Sequence, residues 1–184
     1  MRKGQYDPGR LSTEPKTLMS FDDDNRMLAV HAQKCELVDE VLRVFGTVRL
    51  RVTGFSMLPS VWPGDTLIIL RRNTQGVAVG DIVLYCREAR LFAHRVISRA
   101  DSPGIPNICV QGDALPAPDG LILWSEILGT VSRIIRNGRY LEPSTGLRYY
   151  ERLIGSLIWR SQSLARVVVF IHSICSSARW TEAW

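Results

Sequence analysis

A mainly β domain with a helix at each end is the fold class this sequence predicts, and three patterns carry it. Between Thr47 and about Leu141, short β-branched runs follow one another with turn residues between them. Ahead of that region, Met27–Phe45 repeats its apolar residues at helical spacing. Behind it, Tyr149–Ser176 is again helical in period and unusually apolar. Turns at this spacing predict a core of coiled or barrel-like sheets. The expected organisation is a flexible arm over 1–26, a helix over 27–46, a β domain over 47–145 and an apolar, amphipathic helical segment over 146–184.

The N-terminal arm holds Pro8, Pro15 and the acidic run Asp22–Asp24 but no apolar stretch of the kind a secretory signal needs. The helix that follows places Leu28, Val30, Cys35, Leu37, Val38, Val41, Leu42 and Phe45 on one side, and Gly46 supplies its stop. Within the β region, Val48, Leu50 and Val52 alternate with Arg49, Arg51 and Thr53 as in a half-buried strand. Thr66–Leu70, Ile82–Cys86, Leu91–Ser98, Ile108–Val110 and Ile127–Ile135 are further strands. Arg87–Arg90 reads as a hairpin connection, Gly112–Gly120 as a loop, and Asn137-Gly138 as a tight turn into Arg139–Leu141. In the C-terminal segment Arg152, Arg160 and Arg166 break the apolar pattern, and the uncharged run Val167–Ser177 is too short to span a bilayer. That segment is expected to pack on the β core or to lie in a membrane interface. The location expected from these features is cytoplasmic or peripheral at a membrane.

With 46% hydrophobic and 22% charged residues in 184, the chain can bury the core of one ordinary domain. The net charge of +5 would attract anionic surfaces, yet no basic stripe interleaves with aromatics, so no nucleic-acid partner is expected. Cys35, Cys86, Cys109 and Cys175 are scattered and form no C-x-x-C pair. By number they allow two bridges, but their spacing suggests no disulfide framework, and free thiols packed as small hydrophobes are expected. Neither Cys86, His94 and Cys109 nor His31 with Cys35 matches a known ligand spacing, so no metal or other cofactor is expected.

The chemistry concentrates at Gly54–Asp65, G-F-S-M-L-P-S-V-W-P-G-D. A serine at a strand end, followed by Met, Pro and a Pro-Gly-Asp turn, sits on a backbone-defined bend that presents a nucleophile at a cleft edge. Downstream come Gly80-Asp81-Ile82-Val83, then the strand Ala93-His94-Arg95-Val96-Ile97, then Gln111-Gly112-Asp113 with Asp119 beyond it. A lone serine or histidine would mean little; the ordered set is specific.

This order resembles the serine endopeptidases of the signal-peptidase and self-cleaving-repressor superfamily, and most closely the archaeal and endoplasmic-reticulum signal-peptidase branch. The resemblance rests on Ser56-Met57-Leu58-Pro59, Gly64-Asp65, Gly80-Asp81-Ile82-Val83, His94-Arg95-Val96 and Gly112-Asp113 with Asp119, and covers about Val48 to Val131. It implies Ser56 as nucleophile and His94 at the strand position where other branches carry a lysine base. After Lys34 the chain contains no lysine, so a Ser–Lys dyad beyond the bend is excluded. Asp113 and Asp119 match the acidic loop, where one orients the histidine; the family pattern favours Asp119, while the sequence separates neither. Imidazole is the side chain whose ordinary titration straddles neutrality, which suits the base in acyl transfer.

Two features depart from that pattern. Membrane signal peptidases carry a hydroxyl residue two positions before the nucleophile, whereas Gly54 stands here, leaving the Ser56 N–H as the first oxyanion donor. An amino-terminal membrane span is also missing from 1–26, so docking through the C-terminal helix or action on soluble precursors is expected. The reading is a Ser–His endopeptidase cleaving a precursor or leader peptide. The alternatives are a peptide-binding module without turnover, and a regulator that cleaves itself.

Overall fold

A computed structural model describes residues 20–71, 76–100 and 107–146. Most of the expected N-terminal arm and nearly all of the apolar C-terminal segment, with its expected membrane contact, lie outside those residues. One helix, α1 (Ser20–Phe45), precedes eight strands. They are β1 (Thr47–Arg51), β2 (Thr66–Leu70), β3 (Ile82–Arg87), β4 (Arg90–Ala100), β5 (Asn107–Gln111), β6 (Leu121–Leu123), β7 (Ile127–Arg136) and β8 (Arg139–Leu141).

The strands form one antiparallel sheet in the order β1-β2-β7-β3-β4-β5-β6, with β8 attached to β7. β7 is its spine. Along one edge it pairs with β2; along the other it pairs first with β3, at Ile127–Thr130, and then with β8, at Ile134–Arg136. The path ends at β1 and at β6, so the sheet is open and the barrel-like closure expected from the sequence is not present. The reason lies in β3, whose two faces feed different cores. Ile82 and Leu84 join Met57, Leu67, Ile69 and Val131 on one side, while Val83 and Tyr85 join Val96, Ile108 and Val110 on the other. A strand buried on both faces has a continuous apolar run instead of alternation, and Ile82-Val83-Leu84-Tyr85 is such a run.

α1 begins at Ser20, seven residues before the expected start at Met27. Three consecutive aspartates are a helix-start signal as well as a solvated stretch, and here they belong to the helix. Its buried stripe is narrower than the sequence pattern suggested. Cys35, Val38 and Leu42 are buried, whereas Leu28, Val30, Leu37 and Phe45 are exposed. Cys35 is bonded to Cys86 at the end of β3, so the expectation of free thiols fails at this pair, while Cys109 is free. The half-cystines are 51 residues apart in sequence, and such a pairing depends on how α1 packs across the sheet, which spacing does not report. No helix among the described residues is long and apolar enough to cross a membrane.

The two tightest hairpins use the same backbone with different residues. Asn137 (φ 50°) and Gly138 (φ 73°) turn β7 into β8, the combination that left-handed backbone favours. Glu88 (φ 51°) and Ala89 (φ 60°) turn β3 into β4 in the same region without either residue.

Two measurements check this description. Reduction of the Cys35–Cys86 bond, or Cys35→Ser with Cys86→Ser, is expected to lower unfolding stability by up to about 4 kcal/mol, the chain-entropy value for a loop of this length. Unchanged denaturation midpoints with and without reductant would show that the bond does not form. Replacing Glu88-Ala89 by Asn-Gly is expected to raise stability by about 1–2 kcal/mol, through relief of the left-handed backbone.

Candidate functional site

Ser56 stands where β1 has ended and the chain bends back toward β2. The residues behind it plunge into the core: Met57, Leu58 and Val61 are buried, which holds the half-buried serine at the mouth. The bend is closed by Gly64 N–H donating to the Val52 carbonyl and Val52 N–H donating to that of Asp65, both at 2.8 Å. The Asp65 carboxylate, itself buried, accepts from Trp62 N–H at 2.8 Å and from Arg136 of β7 at 2.7 Å. Arg136 also donates to the Ser60 carbonyl. Thus the Pro-Gly-Asp turn works as an anchor that ties the serine bend to the sheet's spine.

His94 lies on β4, opposite Val83 of β3, and is 3% exposed. Its Nε2 is 2.8 Å from Ser56 Oγ, and its Nδ1 is bonded to Asp119 Oδ2. Asp119 therefore fixes the tautomer: Nδ1–H donates to the carboxylate and the Nε2 lone pair faces the hydroxyl. Tyr85, two positions further along β3 than Val83, donates its O–H to Asp119 Oδ2 at 3.1 Å and lies 3.1 Å from Nδ1. Burial first, and then the neighbouring Asp119 charge, push the Tyr85 phenol well above its ordinary range, so it remains a protonated donor. Arg87 secures the acidic loop from below, donating to the carbonyls of Asp119 and Leu121.

The two loop carboxylates have separate partners. Asp113 does not touch His94. It accepts two 2.8 Å hydrogen bonds from Arg95, the residue after His94, in a buried bidentate pair. Arg95 further donates to the carbonyls of Gly80 and Ser144 and to Ser60 Oγ. From the same loop Ala114 N–H donates to the Ser56 carbonyl at 2.9 Å. Gly112 allows that approach, since a Cβ there would sit 2.7 Å from the Ser56 carbonyl oxygen. Ser56, His94 and Asp119 are brought together, and Asp113 braces them from outside.

Tyr85 and Arg87 carry parts of the site that the sequence reading did not single out, and Arg95, quoted there within His94-Arg95-Val96, was given no role of its own. Tyr85 is in register with Phe92, with ring centroids 5.5 Å apart, two positions from the Val83–His94 pair. With the β3–β4 register known, an aromatic two positions from the residue facing His94 would have been the signal.

A cleft of about 540 Å³ opens beside Ser56 and His94. Leu50, Val52, Met57, Leu84, Leu91 and Phe92 are among its apolar lining, and α1 forms part of its edge. On the side of β4 away from β3, β5 pairs only from Arg95 onward, so Leu91–His94 have an unpaired backbone edge there. β1 is likewise a sheet edge. No group of three His, Cys, Asp or Glu side chains among the described residues is arranged to hold a metal ion. Comparison with protein-family models and with curated proteins finds no match.

The division of labour between the carboxylates has a measurable consequence. Asp113→Ala leaves a buried guanidinium without its carboxylate and is expected to cost about 3–5 kcal/mol in urea unfolding. Asp119→Ala, at a partly exposed side chain, is expected to cost about 1–2 kcal/mol. Equal losses would contradict the assignment of Asp113 as the brace.

Proposed function

We propose that this protein is a serine endopeptidase of signal-peptidase type, in which Ser56 attacks a peptide carbonyl with His94 as base and Asp119 as the orienting acid. The observation that carries the reading is the 2.8 Å contact between Ser56 Oγ and His94 Nε2, with Asp119 bonded to the opposite ring nitrogen. A hydroxyl, a base within hydrogen-bond reach and a third group orienting the base are the parts that acyl transfer requires. A binding module without turnover would not need that contact.

The steps follow from the atoms in reach. As Ser56 Oγ bonds to the carbonyl carbon, its proton passes to Nε2, and the imidazolium formed is stabilised by Asp119. Charge developing on the carbonyl oxygen is met by the Ser56 N–H, which bonds to no described acceptor. Collapse breaks the C–N bond, and the proton moves from Nε2 to the departing amine. Water then attacks the acyl-serine, gives its proton to Nε2 and releases the acid, and the proton returns to Oγ. Tyr85, donating to Asp119, keeps that carboxylate aimed at Nδ1 and shares its charge. The substrate is a precursor or leader peptide lying extended along the free edges of β4 and β1. Small side chains next to the cut follow from the superfamily resemblance.

Ser56→Ala and His94→Ala are each expected to abolish cleavage of a precursor panel read by mass, the Ser56 variant with its unfolding curve unchanged to within about 1 kcal/mol. Asp119→Asn is expected to lower kcat by about 10²- to 10⁴-fold. Undiminished products from the Ser56 variant would remove the peptidase reading.

A further inference from the structure

We infer that this cleft selects acidic peptides, reading carboxylates three to five residues away from the bond next to Ser56. The inference rests on the peptidase reading for the cut itself, but its charge selectivity stands on the cleft alone.

The cleft is apolar within and cationic at its rim. Lys34 of α1, Arg51 at the end of β1 and Arg90 at the start of β4 line it, together with His31, and among the described residues no aspartate or glutamate does. All three cations are exposed, and none pairs with a carboxylate among the described residues. The arginines that brace the catalytic group behave differently: Arg87, Arg95 and Arg136 each face a carboxylate. Like charges gathered on low-dielectric walls focus their field into the groove, and here that field is left for a ligand to neutralise.

Topology sets the distance. Four antiparallel steps separate β1 from β4, through β2, β7 and β3, so the two strands run in the same direction. Both run from the cationic end toward the nucleophile. Arg90 precedes His94 by four residues, which in an extended strand is about 13 Å. A peptide laid along the β4 edge covers that length in about four residues. Arg51 precedes Ser56 by a similar count on the facing side. Lys34 adjoins Cys35, whose bond to Cys86 ties this part of α1 to the sheet.

The test uses the full chain. Labelled twelve-residue peptides share one apolar centre and carry Glu, Gln or Lys at the positions three to five residues to either side. Their binding to the Ser56→Ala protein is followed by anisotropy at low and high salt, and their cleavage by the unaltered protein is read by mass. The Glu peptide is expected to bind at least tenfold more tightly than the Lys peptide at low salt, and the gap is expected to narrow as salt screens it. Arg51→Glu with Arg90→Glu is expected to erase or reverse the preference. Arg133→Glu with Arg139→Glu, equal in charge change but outside the cleft, is expected to keep it. Equal binding of the three peptides, or equal loss in both double variants, overturns the inference. Cleavage indifferent to charge would do the same while leaving the peptidase intact. Tight, selective binding of the Glu peptide without cutting would instead keep the cleft preference and remove the peptidase reading.

Discussion

The buried ion pair between Arg95 and Asp113 is what the arrangement around Ser56 depends on. Successive side chains of a strand point to opposite faces, so His94 and Arg95 are committed to opposite tasks by adjacency alone. His94 turns toward Ser56, Asp119 and Tyr85; Arg95 turns toward Asp113, Ser60 and the carbonyls of Gly80 and Ser144. Asp113 then positions the loop whose Ala114 N–H holds the Ser56 carbonyl. The circuit returns to the serine one residue pair from where it began, so imidazole and hydroxyl are spaced by a closed set of hydrogen bonds.

Such a pair adds little net stability, because the cost of desolvating both ions offsets their attraction. Its contribution is to geometry. A guanidinium with its donors spread over four segments allows few alternative placements for any of them, and the Arg136–Asp65 pair does the same for the Pro-Gly-Asp turn. Two arginine–carboxylate pairs, one from β4 and one from β7, therefore clamp the serine bend from two directions. Ser56 itself remains half-buried at the mouth of the cleft.

The cleft beside it joins an apolar lining with two unpaired strand edges, which suits an extended peptide better than a compact small molecule. Its rim is furnished partly by α1, and α1 is held there by Val38 and Leu42 and by the bond from Cys35 to Cys86. A reducing cytoplasm would keep that pair as two thiols. The cross-link thus ties the redox state of the surroundings to how firmly the cleft edge is held.

Much of this was legible in the residues themselves. Alternation at Val48–Val52, the continuous run at Ile82–Tyr85 and the Asn137-Gly138 turn mark their elements because backbone preference and burial act locally. Ser56, His94 and the acidic loop stood out for the same reason: each is embedded in a short motif with its own turn chemistry. What lay beyond reach depended on which distant segments meet. The bond from Cys35 to Cys86, the place of Tyr85 beside Asp119, the narrow buried stripe of α1 and the open edge of the sheet are all of that kind. The hairpin at Arg87–Arg90 was legible as a connection, but not its left-handed backbone at Glu88 and Ala89, which neither residue favours and strand pairing on both sides holds. The sequence by itself determined the mainly β character, the serine bend and the histidine strand, because those are properties of neighbours along the chain. Only the tertiary structure decided between Asp113 and Asp119, because they differ not in local pattern but in whether Arg95 or His94 lies across the gap.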